Sequence, residues 1–258
     1  MSEVELPQGR IHYSESGEGP PIVFVHGLLV DGRLWRKVTP LLSGRFRCIV
    51  PDFPLGSHPE PMNADADLSP PGLARIVAGF LEALELEDVI LVANDTGGAI
   101  SQITAAHHPE RIGRLVLTNC DAFENFLPPA FRPLQLAARV PPLLNGLIQG
   151  MRLAPMRRLP IAYGWLIKHD LDGAPLREWV EPFLSDRGVR RDTVKVLRGI
   201  DPKHTFEAAE RLRDFDRPAL LAWAVEDRFF KVSFAERLAE LIGDFAGSLS
   251  SPEASASG

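Results

Sequence analysis

Short, uninterrupted apolar runs that stop abruptly at turn residues recur along this chain and constrain its fold more than any other feature. Ile22-Val23-Phe24-Val25 stops at His26-Gly27, and Cys48-Ile49-Val50 stops at Pro51-Asp52. Val89 to Ala93 stops at Asn94-Asp95, Leu115-Val116-Leu117 at Thr118-Asn119, and Ala219 to Val225 at Glu226-Asp227. Runs this short, rich in β-branched residues and lacking polar alternation, describe strands buried on both faces. Helical patterns lie between them. Ser69 caps a helix with proline just inside its start, and Leu73, Ile76, Val77, Phe80, Leu81 and Leu84 then share one face. Gly98 to His108 is a second helix, broken by Pro109, and Ser233 to Ile242 a third. An opening strand pair that includes Gly9 to Ser16 comes first. Strands alternating with helices imply βαβ units, hence an α/β fold with a mostly parallel, doubly wound sheet.

Residues 124–214 break the rhythm. Pro128, Pro129, Pro133, Pro141, Pro142 and further prolines separate short helical pieces such as Leu134–Arg139 and Tyr163–Lys168. This stretch reads as a helical cap inserted over one end of the sheet, and Arg139 with the prolines argues against a membrane segment. The expected organisation is a first part of the core at 1–123, the cap at 124–214, a second part at 215–247, and a disordered serine- and alanine-rich tail at 248–258.

Composition narrows the function. With 45% hydrophobic and 24% charged residues over 258 positions, the chain has the profile of a globular domain. Its formal net charge of −6 offers no basic field for a phosphate backbone, so nucleic acid is not an expected partner. No apolar stretch is long enough for a membrane span, and the N-terminus has no signal pattern. The two cysteines, Cys48 and Cys120, are far apart in apolar runs and read as buried thiols. No cluster has metal-ligand spacing and Ser16-Gly17-Glu18-Gly19 is no phosphate loop, so neither metal nor cofactor is expected. The expectation is a cytoplasmic protein, monomer or homodimer, acting on a small molecule.

The most informative segment is Val92-Ala93-Asn94-Asp95-Thr96-Gly97-Gly98. A buried strand enters a helix through a turn with small residues two before and two after Asp95, the pattern of a nucleophile elbow. The His26-Gly27 turn, that elbow, the proline-rich cap and Glu226-Asp227, in this order, resemble the α/β-hydrolase fold over roughly residues 9–244. Aspartate at the elbow resembles the haloalkane dehalogenase and epoxide hydrolase branch. The resemblance implies that Asp95 attacks an electrophilic carbon to form an alkyl ester, which activated water then hydrolyses at the aspartyl carbonyl. It places the oxyanion hole on the backbone N–H groups of Leu28 and Thr96. Asp227 matches the acid that orients a histidine, with Asp121 as the alternative acid. His26 shapes its turn.

The sequence departs from that branch at several points. Thr96 and Leu28 stand where dehalogenases carry halide-gripping tryptophan and asparagine or glutamate. Tyr163 is the one cap tyrosine, where epoxide hydrolases use tyrosines to protonate the alkoxide. No histidine follows Asp227; His58, His107, His108, His169 and His204 all precede it. The last strand and last helix are also expected to be missing. The primary expectation is an aspartate-nucleophile hydrolase slow in its second step. A second is a non-catalytic member of the fold, binding a small apolar ligand in a pocket lined by Phe123, Phe126, Leu127 and Trp165. A third is an interaction protein that pairs through an exposed edge of Ala219–Val225.

Overall fold

The computed structural model describes residues 1–166, 174–242 and 245–250, without the side chains of residues 160, 161, 174 and 245–250. The strands are β1 (Ser2–Leu6), β2 (Gly9–Ser16), β3 (Pro21–Val25), β4 (Arg47–Pro51), β5 (Val89–Asn94), β6 (Ile112–Cys120), β7 (Ala219–Trp223) and β8 (Phe245–Ser250). They form one sheet in the order β1-β2-β4-β3-β5-β6-β7-β8. The β1–β2 and β2–β4 pairs are antiparallel, and every pair from β4–β3 onward is parallel. Val23, Phe24 and Val25 show no exposure, and neither do Leu91, Ala93, Leu115 and Leu117. Burial on both faces is why these strands read as continuous apolar runs.

The helices are α1 (Thr39–Leu42), α2 (Pro70–Ala83), α3 (Asp95–His107), α4 (Arg132–Ala137), α5 (Pro141–Gln149), α6 (Ala154–Arg157), α7 (Ala174–Ser185), α8 (Arg187–Gly199), α9 (Pro202–Arg211) and α10 (Val232–Leu241). Helix α2 starts as its sequence dictates: the Ser69 hydroxyl accepts from the Gly72 amide and proline follows at once. Its buried face, Leu73, Ile76, Val77, Phe80 and Leu81, joins Val23, Val25 and Leu91 in one core layer. On the opposite face Phe24 and Trp35 pack with ring centroids 5.1 Å apart, beside Ile22, Cys48 and Val50. Both cysteines are free and buried. Among the described residues no helix is long and apolar enough to cross a membrane.

Two expectations about chain organisation need correction. The last strand is not missing: β8 runs parallel to β7, with Ala219 opposite Phe245 and Leu221 opposite Ser248. Glycine and serine are poor strand formers, so composition hides this element. What makes it a strand is the edge of β7, whose unpaired amides and carbonyls it satisfies. The β7 edge is therefore covered, and the third expectation loses its premise. Residues 248–250 of the expected tail lie in β8, while 251–258 lie outside the described residues. The second correction concerns α9, counted with the cap by sequence. It packs against α3, and the Thr205 hydroxyl donates to the Phe123 carbonyl at 2.6 Å.

Sheet order also positions the site. β4 lies on one side of β3 and β5 on the other, so the chain reverses its winding direction between β3 and β5. A crevice opens at the C-terminal ends of strands where winding reverses. His26-Gly27 leaves β3 there, and Asn94-Asp95 leaves β5.

Candidate active site

Asn94 ends β5 in extended conformation, and Asp95 starts α3 with φ at 53°. A non-glycine residue in the left-handed region costs on the order of 1–3 kcal/mol and persists only where its surroundings force it. The forcing contacts are visible. A Cβ on Gly97 would lie 2.2 Å from the His26 carbonyl oxygen, and one on Gly98 would lie 2.2 Å from Cys120 Cβ. Helix α3 is thus pressed against the ends of β3 and β6 at once, which only glycine permits. The Asp121 amide donates to the Asp95 carbonyl at 3.2 Å and locks the turn from the β6 side. The carboxylate itself rests on Gly27, where an added Cβ would stand 2.1 Å from Asp95 Oδ2.

The helix therefore begins at Asp95 itself, three residues before the expected Gly98. The backbone N–H groups of Leu28 and Thr96 both face the Asp95 carboxylate, so the structure brings these three residues together. Burial raises the Asp95 pKa to about 6 against the pull of those two amides, and the charge of nearby Asp227 adds to the rise. Asp227 joins the same cluster in a different posture from the one expected. Its Oδ1 accepts from the amides of Phe229 at 2.8 Å and Phe230 at 2.9 Å, an Asx-type turn that closes its own loop. Burial raises its pKa too.

Asp121 has no exposure, and the Thr96 hydroxyl donates to its Oδ2 at 3.1 Å. Burial first, and then the Asp95 charge, raise the Asp121 carboxyl well above the usual carboxylate range. Of two interacting carboxyls, Asp95 with its two facing amides ionises first and Asp121 keeps its proton. A neutral acid has a neutral substitute. D121N is expected to keep the melting temperature within a few degrees and the alkylation rate within about threefold. D121A removes the buried acceptor of the Thr96 hydroxyl and leaves a void, and is expected to cost about 1–3 kcal/mol; thermal melts of the two variants check this.

His26, His58 and His107 are each engaged with a partner other than Asp95. Buried His26 donates from Nδ1 to the Gly27 carbonyl at 2.9 Å, and burial lowers its pKa, so it stays neutral and holds the turn. His58 accepts the Gly56 amide on Nδ1 at 3.3 Å, which leaves Nε2 as the donor toward Asp192 Oδ2 at 3.4 Å. That pair is buried and ties the loop after β4 to α8. His107 lies 3.8 Å from Glu207, at the far end of α3 from the elbow. His204 sits in α9 with its pKa lowered by burial. His169 lies outside the described residues. Among the described residues no imidazole is hydrogen-bonded to Asp95.

The cap aromatics are committed as well. The Tyr163 hydroxyl donates to the Leu29 carbonyl at 2.5 Å, and Trp179 Nε1 donates to Asp31 Oδ1 at 3.1 Å. These two rings, 5.5 Å apart, clamp the cap onto the loop after β3. Phe123, Phe126 and Leu127 are buried, whereas Trp165 is 47% exposed, packed by Phe229 and Arg228. Its aromatic character alone could not place it. Two further residues matter. Gly27 is flush with the carboxylate, and Asn119 joins the strand ends, its Oδ1 accepting from the Ala224 amide at 2.8 Å.

The family model described as alpha/beta hydrolase fold matches residues 20–249. Haloalkane dehalogenase 2 of Mycobacterium bovis is 35% identical over 115 residues, which are 43% of this chain and 39% of that relative. The match thus spans well under half of the relative's own length. The 2-hydroxy-6-oxo-6-phenylhexa-2,4-dienoate hydrolase of Comamonas testosteroni is 25% identical over 95% of this chain and 84% of its own. A crystal structure of a haloalkane dehalogenase from Bradyrhizobium elkani shares the fold, with a TM-score of 0.75 at 20% identity over 97% of this chain and 88% of that one.

Proposed function

The chain belongs to the α/β-hydrolase fold family, and from that premise we propose that it is a hydrolase in which Asp95 attacks the electrophilic carbon of a small apolar alkyl halide or epoxide. The observation that carries this reading is the strained Asp95, at φ 53° with its carboxylate facing the amides of Leu28 and Thr96. A residue that merely capped α3 would need neither the strain nor the facing amide from the other strand. A site that only bound ligand would leave both unexplained.

In the first step an Asp95 oxygen bonds to the carbon as the bond to the leaving group breaks. A halide departs with the electron pair, or an epoxide oxygen opens to an alkoxide that takes a proton from water. The product is an alkyl ester of Asp95. Water then adds to the ester carbonyl, and the oxyanion forms opposite the amides of Leu28 and Thr96. Collapse expels the alcohol and returns the carboxylate. Asp227, whose charge is felt at Asp95, is the carboxylate assigned here to take the proton of that water. A carboxylate is a weaker base than imidazole, and general base catalysis typically contributes ~10²–10⁴-fold, so ester hydrolysis limits turnover in this chain.

Two side chains usual in the branch are absent from their positions: Thr96 turns its hydroxyl to Asp121, and Leu28 supplies only backbone. The indole of Trp179 and the hydroxyl of Tyr163 already have acceptors. A halide or alkoxide therefore leaves with little help from side-chain donors, which favours substrates with a good leaving group. The reading is tested by single-turnover halide release from an activated alkyl halide across pH. Only ionised Asp95 is nucleophilic, so the rate is expected to climb about tenfold per pH unit below about 6 and to level off above it. A rate that is flat across this range contradicts it.

A further inference from the structure

Helices α4, α5 and α6 are consecutive in the chain; α4 packs on α5, and the short turn Gly150–Arg152 packs on both α5 and α6. Helix α5 is apolar on two adjoining faces. Leu144 and Ile148 are buried, whereas Leu143 and Leu147, one turn apart, are 54% and 52% exposed. Leu136 and Val140 extend the exposed side before α5, and Leu153 with Trp165 extends it after. Most of the exposed large apolar side chains among the described residues lie in this one segment, 136–166. A soluble protein rarely leaves such a patch without a partner.

Charge says which partner. The chain carries −6 overall, yet residues 125–169 contain no aspartate or glutamate. The same stretch holds Arg132, Arg139, Arg152 and Arg158, all exposed. Exposed leucines and a tryptophan ringed by arginine, on short helices that cannot span a bilayer, fit a surface that is apolar inside and negative at its rim. We propose that the α4–α6 face of the cap docks on an anionic lipid surface, with the α5 leucines entering the interface and the arginines meeting the headgroups. A second copy of this chain fits the face less well. A two-fold contact would set the same arginines against each other with no carboxylate to oppose them. This association is peripheral, and it amends the expectation that no membrane is involved. It also suits a small apolar substrate, which concentrates in lipid next to the cap.

The test is co-sedimentation of the full chain with vesicles of phosphatidylcholine alone and of phosphatidylcholine with 30% phosphatidylglycerol, a composition set for the experiment as roughly that needed for electrostatic docking. Binding to the anionic vesicles at least about tenfold tighter than to neutral ones, and weakened by raised salt, is expected. L143E/L147E is expected to lose most of that binding while keeping its far-UV circular dichroism and single-turnover alkylation. R132E/R139E is expected to lose the anionic preference alone. Equal affinity for both vesicles, no binding to either, or undiminished binding by L143E/L147E overturns the proposal. So does sedimentation velocity showing a dimer that L143E/L147E converts to monomer, since the face then serves a second copy.

Discussion

D95N is expected to eliminate alkylation by every halide or epoxide that the wild-type chain accepts, lowering the single-turnover rate by at least about a thousandfold. An amide oxygen is a far poorer nucleophile than a carboxylate, and no other described side chain shares its position against Leu28 and Thr96. The same substitution is expected to stabilise the fold. Burial raises the folded pKa of Asp95 to about 6, so above that pH the native state holds a desolvated charge that the unfolded chain carries at no cost. The folded state binds the extra proton between the ordinary carboxylate range and about 6, and the stability contributed there is lost as pH rises through that window. Asparagine removes the penalty and tolerates φ at 53° at least as well. A gain of about 1–2 kcal/mol near pH 8, shrinking toward pH 4, is the expected outcome in urea titrations. Loss of chemistry coupled to gain of stability distinguishes a residue held for reaction from one that caps a helix, whose removal costs stability.

The second large effect comes from a residue with no reactive group. In G27A the new methyl would stand 2.1 Å from Asp95 Oδ2 and 2.6 Å from its Cβ, so the carboxylate must move away from the amides that face it. A displacement of about 1 Å at a reacting group can cost roughly 10²-fold, and that loss in alkylation rate is expected here. The substitution meets the Asp95 side chain first, with Oδ2, Cβ and Cγ the three nearest atoms. Its cost should fall on rate far more than on stability. A variant that alkylates at the wild-type rate would show that the carboxylate acts from some other position.

A sequence carries those features of the fold whose causes are local. The parallel strands and the elbow were legible because their causes are local: a strand buried on both faces must be apolar throughout, and a helix pressed on two strands must be glycine at the contacts. Leu28 and Thr96, beside the two turns, were implied by the resemblance. The features that escaped are those set by a distant partner. β8 depends on the free edge of β7, not on Phe245-Ala246-Gly247-Ser248. His58 carries no sign of Asp192, which lies 134 positions away. Trp165 could have lined a pocket or faced outward, and only the packing of Phe229 and Arg228 places it. The charge of Asp227 is felt at Asp95, while its Oδ1 is held by the amides of its own loop, a posture its sequence context does not show.

The central claim, that Asp95 bonds to carbon, is tested most directly by the mass of the peptide bearing it after reaction in ¹⁸O-labelled water. If the ester forms and persists, the peptide gains the alkyl group. If it turns over, water attack at the aspartyl carbonyl leaves ¹⁸O in the side chain of Asp95. A peptide of unaltered mass, recovered from protein that has released halide or opened an epoxide, would contradict the account.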